Sequence, residues 1–168
     1  LVADSMVSPP GGQWGLANDN YGRLFFSSAG GENPALNFQE NPVYGQLDMD
    51  DQLVGDFNEV WPIIGTPDVQ GGQERLRPDS TLNHFTASCG QAVFRGDQLP
   101  QSLVGDLFIC EPVGRLIRRA KMSYRNGQAY LTNAYEKREF LASSDMNFRP
   151  VNLVTGPDGC LYIVDMYH

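Results

Sequence analysis

An all-β fold assembled from repeated hairpins is what this sequence predicts, and three observations carry the prediction. First, the segment Trp14-Gly-Leu-Ala-Asn-Asp-Asn-Tyr-Gly-Arg-Leu-Phe-Phe26 and the segment Val151-Asn-Leu-Val-Thr-Gly-Pro-Asp-Gly-Cys-Leu-Tyr-Ile163 follow one pattern. Each is an apolar strand, an Asp/Asn/Gly turn and a second strand of Leu, aromatic and apolar residues. Leu16, Gly22, Leu24 and Phe25 align with Leu153, Gly159, Leu161 and Tyr162 at a constant offset of 137, without a gap. Second, a partial third copy lies at Gly105-Asp-Leu-Phe-Ile109, where Leu107 and Phe108 stand 54 positions before Leu161 and Tyr162. Third, 18 Gly and 11 Pro punctuate a chain that is 41% hydrophobic, the composition of many short strands joined by turns. Repeated hairpins of this kind are the trace of β-propeller blades, each of which buries its faces only by stacking on its neighbours.

Blades take about 40–45 residues each, so a chain of this length holds about three and some connecting loop. It begins at Leu1 without Met and ends at His168 directly after an expected strand, which reads as a piece of a longer propeller.

The elements follow in order. Residues 13–28 form the first hairpin, with Asp19-Asn-Tyr-Gly22 as its turn and Leu24, Phe25 and Phe26 as a buried strand. From 29 to 80 the pattern dissolves among Gly30-Gly31, Pro34, Pro42, Pro62, Pro67, Gly71-Gly72 and Pro78, so a long irregular loop insertion is expected. One four-stranded blade spans 85–135, with strands at Thr86–Phe94, Ser102–Cys110, Gly114–Met122 and Gln128–Ala134. Arg125-Asn-Gly127 is its tight turn. The stretch Tyr135–Leu141, with Glu-Lys-Arg-Glu, reads as a solvated connection, and 148–168 as the first two strands of the next blade. Asp19 and Asp158 read as turn formers. Phe25, Phe94, Phe108 and Tyr162 read as packing between blades.

Bulk properties exclude some partners. No apolar run approaches the roughly 20 residues that a membrane helix needs, so no span is expected in this segment. Twenty acidic against 12 basic side chains give a net charge of -8, which repels nucleic acid phosphates. Cys89, Cys110 and Cys160 make no CxxC, CxxCH or zinc pattern. A hairpin centred between Gly96 and Leu103 would face Cys89 with Cys110 within disulfide reach; two small buried thiols are the other reading. Cys160 reads as core.

Four ordered segments carry a family resemblance. They are Thr66-Pro-Asp-Val-Gln-Gly-Gly72, Phe85-Thr-Ala-Ser-Cys-Gly90, Leu103-Val-Gly-Asp-Leu-Phe-Ile-Cys-Glu-Pro-Val-Gly-Arg-Leu-Ile-Arg-Arg119, and Asn147-Phe-Arg-Pro-Val-Asn152 with Gly156-Pro-Asp-Gly-Cys-Leu-Tyr-Ile-Val-Asp-Met-Tyr167. The chain resembles the membrane-bound dehydrogenase propellers of planctomycete and verrucomicrobial bacteria, similar in turn to glucose/sorbosone dehydrogenase propellers. The resemblance implies an exported, periplasmic or otherwise extracytoplasmic propeller of about six blades. It further implies oxidation of a sugar or alcohol with pyrroloquinoline quinone and calcium, and electron transfer to quinone or to haem c on a cytochrome c domain outside this segment. The competing expectation is a non-catalytic propeller that binds carbohydrate or protein, because fold likeness does not give a reaction.

Candidate residues are read with both functions open. His84, where the loop meets the first strand of the complete blade, is either the base that accepts a hydroxyl proton or a histidine bonded within a loop. Arg149 either clamps a carboxylate of a cofactor or sugar acid, or ties blades together through a carboxylate such as Asp165. Trp61, on the breaker-rich loop, either lines a sugar-binding rim or anchors the loop. Asp48, Asp50, Gln52, Asp56 and Glu59 fall at positions 1, 3, 5, 9 and 12 of a calcium-loop pattern. Leu53 stands where that loop needs Gly, and no amphipathic helices flank it, so a solvated acidic surface is the alternative. In the basic strand Arg115, Arg118, Arg119 and Lys121, Arg118 and Arg119 point to opposite faces, so one can face water and the other a neighbouring element; an ion pair between blades and docking of a partner domain are the two readings.

Overall fold

The computed structural model describes residues 15–28, 33–37, 55–126 and 128–168. Their structure is all-β, in three antiparallel sheets. The first holds β1 (Leu16–Asn18), β2 (Leu24–Ser28) and β3 (Asn33–Asn37) in that order. In the second, β4 (Cys89–Val93), β5 (Leu107–Glu111), β6 (Leu116–Arg125) and β7 (Gln128–Asn133) follow one another as a meander. β8 (Leu141–Ala142) continues the edge of β6 that β7 leaves, pairing Ile117 with Leu141 and Leu116 with Ala142. The third is the hairpin of β9 (Pro150–Thr155) and β10 (Leu161–Asp165). Helix among the described residues is confined to 3-10 turns such as Gln73–Arg75 and Gln101–Leu103.

The 137-residue repeat is a repeat of structure. The pairs Leu16↔Phe26 and Ala17↔Phe25 in the first hairpin map onto Leu153↔Ile163 and Val154↔Tyr162 in the last. Gly22 and Gly159 both adopt left-handed backbone, at φ 79° and 81°, where a Cβ would be strained. The turn carboxylates close each loop: Asp19 Oδ1 accepts from the amides of Tyr21 and Arg23, both at 2.8 Å, and Asp158 Oδ1 from that of Cys160 at 3.1 Å.

The two copies turn opposite faces to the middle sheet. Ala17 and Phe25 pack in one core with Val93, Leu107, Ile109, Leu116 and Ala120. Leu153 packs in another with Ala92, Phe108, Cys110 and Ile117. Alternate residues of β5 and β6 thus serve different cores, as the period of 2 along a strand requires, and the middle sheet is covered on both sides. Val154 and Tyr162, the counterparts of buried Ala17 and Phe25, are 55% and 51% exposed; Leu16, the counterpart of buried Leu153, is 60% exposed. Tyr162 therefore does not pack between sheets as expected, because nothing described here lies against that side of β9 and β10. Approach to β9 is close enough to require glycine: a Cβ on Gly90 would stand 2.2 Å from the Val151 carbonyl oxygen. Arg95 links all three sheets, with its amide bonded to Thr155 Oγ1 at 3.2 Å and its Nε to Asn20 Oδ1 at 2.7 Å.

Several expectations change. β3 lies inside the stretch read as irregular from 29 to 80, and Glu59 and His84 pair as an isolated antiparallel bridge. Cys160 is half-buried at the start of β10 instead of in the core. Neither Arg118 nor Arg119 faces water, since each meets a buried carboxylate on its own side of β6.

Glu111 is wholly buried at the end of β5. Its carboxylate accepts from the amides of Thr86 at 3.1 Å, Ala87 at 2.9 Å and Val113 at 3.1 Å, which fastens the approach to β4 onto the turn after β5. Burial pushes this carboxyl up to about 7, against the opposing pull of the amides. A folded-state value above the unfolded one means that the folded chain binds this proton more tightly, so its contribution to stability is full below the unfolded value and declines as pH rises toward 7. From pH 4.5 to 7 the wild type should lose up to about 3 kcal/mol relative to Glu111→Gln. Urea unfolding of both across that range checks it, with parallel pH profiles as the contrary result.

Candidate functional site

Parity along β6 dictates the local chemistry. Leu116 and Ala120 face one core, so Arg118 between them enters the same core and needs a carboxylate to accompany it. That partner is Glu139, and both side chains are completely buried. Arg118 Nε donates to Glu139 Oε2 at 2.7 Å, and Nη2 donates to Oε1, the two-pronged geometry that a guanidinium favours. Burial raises the Glu139 carboxyl above its ordinary range, while the bonds from Arg118 pull it down. The rings of Phe57 and Phe85 lie 5.4 Å and 5.0 Å from the guanidinium and close the site to water.

The pair organises a loop. Arg118 Nη1 donates to the Phe57 carbonyl at 2.6 Å and Nη2 to the Glu59 carbonyl, while Glu139 Oε1 accepts the Trp61 amide at 2.9 Å. Backbone bonds complete the attachment, from Val60 to Asn83 at 3.2 Å and from Phe85 to Asn58 at 3.0 Å. Glu139 comes from the stretch read as a solvated connection. Between β7 and β8 the chain leaves the edge of β6, which lets Glu139 fold back under it.

A cleft of about 530 Å³ opens between that loop and the chain after β7. Asp56, Phe57, Glu59 and Trp61 form one wall; Thr132, Tyr135, Glu136 and Lys137 form the other. Asp56 and Lys137 both hold left-handed backbone, at φ 65° and 48°, which turns the chain sharply at each rim. Arg77 stacks 4.3 Å from the Trp61 ring centroid and fixes the indole from one side. On the opposite wall, Arg119 Nη1 donates to the Tyr135 hydroxyl at 3.3 Å, and Asn133 Oδ1 accepts the Tyr135 amide at 3.1 Å. The result is two braced aromatic rings, with three carboxylates and one ammonium group among the lining side chains.

The structure brings Trp61, Asp56 and Glu59 together in this cleft. His84 adjoins it through its backbone pairing with Glu59, and its Nδ1 contacts Asn83 Oδ1. Arg149 and Asp165 are not among the cleft's lining residues. The Arg149 amide donates to Asp165 Oδ1 at 2.7 Å, and its guanidinium engages Asp68 and, at 3.3 Å, the Pro112 carbonyl. Arg115 shares Asp68, at 3.2 Å. Asp48 and Asp50 lie outside the described residues, and among the described residues no group of three or more His, Cys, Asp or Glu side chains could hold a metal ion. Cys89 and Cys110 are direct cross-strand partners, with both thiols free. Sequence reasoning missed Glu139, Tyr135 and Asp68; the inward parity of Arg118 was the signal that called for a carboxylate.

A family model described as a domain of unknown function, DUF7133, matches residues 3–168. The chain belongs to the DUF7133 family. Comparison with curated proteins and with solved structures found no match. The matched range of this DUF7133 chain takes in both walls of the cleft and the ion pair beneath them. Among the described residues no helix is long and apolar enough to cross a membrane.

Removing one partner of a buried pair strands the other charge in the core, at about 3–5 kcal/mol. Arg118→Leu should therefore lower the urea-derived stability by that amount, and Arg118→Leu/Glu139→Leu should recover part of it. A loss below about 1 kcal/mol for the single variant would show that the pair holds nothing in place.

Proposed function

We propose that this chain is part of an extracytoplasmic β-propeller that binds a neutral carbohydrate in the Trp61–Tyr135 cleft. The observation that carries the reading is the cleft itself: a gap of about 530 Å³ whose lining residues include two braced aromatic side chains, carboxylates and a hydroxyl. Aromatic faces accept the apolar C–H side of a sugar ring, and carboxylates accept its hydroxyl protons, the usual division of labour in a small-molecule site. Asp56, Glu59 and Glu136 outnumber Lys137 and the Arg77 guanidinium, which stacks on Trp61 and lies 3.9 Å from Glu59, and so disfavour an anionic sugar. For the propeller, support comes from two hairpin copies that cover opposite faces of one middle sheet, as successive blades do.

One observation favours a second reading, oxidation of a sugar or alcohol by a quinone-dependent dehydrogenase. The backbone of His84 pairs with that of Glu59, a lining residue, which sets this histidine one strand from the cleft. The described residues do not assemble a calcium shell, and the Arg149 guanidinium is occupied by Asp68 and Pro112, so neither fits a cofactor clamp as they stand. Under this reading alone, protein supplied with pyrroloquinoline quinone and calcium reduces an artificial acceptor when sugar is added.

The two tryptophans of the chain are Trp14 and Trp61, so Trp14→Phe leaves one fluorophore in the cleft. Titration of that variant with a panel of neutral mono- and oligosaccharides should give a saturable emission change. In the wild type, calorimetric titration with the sugar so identified should weaken at least tenfold on Trp61→Ala. No binding across the panel would overturn the proposal.

A further inference from the structure

β4 and β5 pair antiparallel with Cys89 directly opposite Cys110, and both side chains belong to the same buried core. Side chains directly opposite each other in an antiparallel pair share a face, with Cβ atoms about 4.5–5.5 Å apart. A disulfide needs about 3.5–4.5 Å, a gap that a small local shift closes. The strand is irregular beside Cys89, where the register shifts between Cys89 and Gln91. We propose that Cys89 and Cys110 form a cross-strand disulfide when this chain folds in an oxidising compartment. The inference stands on β4 and β5 and is independent of any ligand in the cleft.

Its chemistry is a two-electron oxidation of two thiols. With oxidised glutathione as oxidant, one cysteine thiolate attacks that disulfide and releases one glutathione thiolate; the second cysteine thiolate then displaces the other glutathione from the mixed disulfide. Two protons leave the protein thiols, and both electrons end on glutathione.

The timing follows from burial. Burial pushes the Cys89 thiol up to about 12 and raises the Cys110 thiol too, with the Glu111 carboxylate adding to both. The attacking thiolate is therefore scarce once the sheet is covered. Oxidation belongs to the folding chain, before Leu153 and Phe148 close over this core. The bond would close a loop from 89 to 110 and lock the strand on which both flanking sheets rest.

The test is a non-reducing tryptic map of full chain refolded from denaturant with oxidised glutathione. Arg95 and Arg115 separate the two cysteines into different peptides, and Cys160 falls in a third. The expected result is one linked species joining the Cys89 and Cys110 peptides, two hydrogens lighter than their sum, with Cys160 alkylated. Full alkylation of Cys89 and Cys110 before reduction, or a bridge from either to Cys160, would overturn the proposal. Reduction of the linked protein should lower its Tm by roughly 6–12 °C, as loop closure of this size predicts; an unchanged Tm would count against the bond as a constraint on the fold.

Discussion

Arg118 and Glu139 form a buried ion pair on which the cleft depends. Neither side chain touches water, and between them they bond the carbonyls of Phe57 and Glu59 and the amide of Trp61. The Phe57 carbonyl would otherwise be a buried acceptor in need of a partner. The pair exchanges hydration for a closed set of charge-assisted bonds, and a loop rich in Pro and Gly acquires one position. Without it, the loop that carries Asp56, Glu59 and Trp61 would keep its pairing with Asn83, His84 and Phe85 but lose its bonds to β6 and Glu139.

The middle sheet provides the platform. Every residue of β4 and β5 is buried, a pattern expected only of strands covered on both faces. Cover comes from one side through Ala17 and Phe25 and from the other through Leu153, residues of two copies of one hairpin. Because the copies turn opposite faces to the middle sheet, the stack has a direction. Glycine sets the spacing on the β9 side, where the backbone of Gly90 meets that of Val151 without room for a side chain.

Much of this was legible in the residues. The 137-residue offset led to the first and last hairpins and the turn signals within 85–135 to the meander between them, because strand pairing and tight turns leave local patterns. The turn roles of Asp19 and Asp158 were legible for the same reason. Trp61 stood out as a large aromatic side chain on a loop of breakers, and it lines the cleft. Glu139 was not legible as a buried group: in Glu-Lys-Arg-Glu it is surrounded by charge, and only the distant Arg118 makes its burial favourable. β3 was hidden by Pro34, which reads as a breaker yet is tolerated on an edge strand. Tyr162 read as packing because its repeat partner Phe25 packs, but burial depends on what covers a face, which no single hairpin encodes.

The most direct measurement is hydrogen exchange at the Trp61 amide in the wild type and in Arg118→Leu/Glu139→Leu, alongside the amides of Ile109 and Ile117 in the middle sheet. If the buried pair holds the loop, the Trp61 amide is protected in the wild type and exchanges far faster in the variant, while Ile109 and Ile117 stay protected. Equal Trp61 protection in both proteins would contradict the account, because the loop would then keep its place without the ion pair.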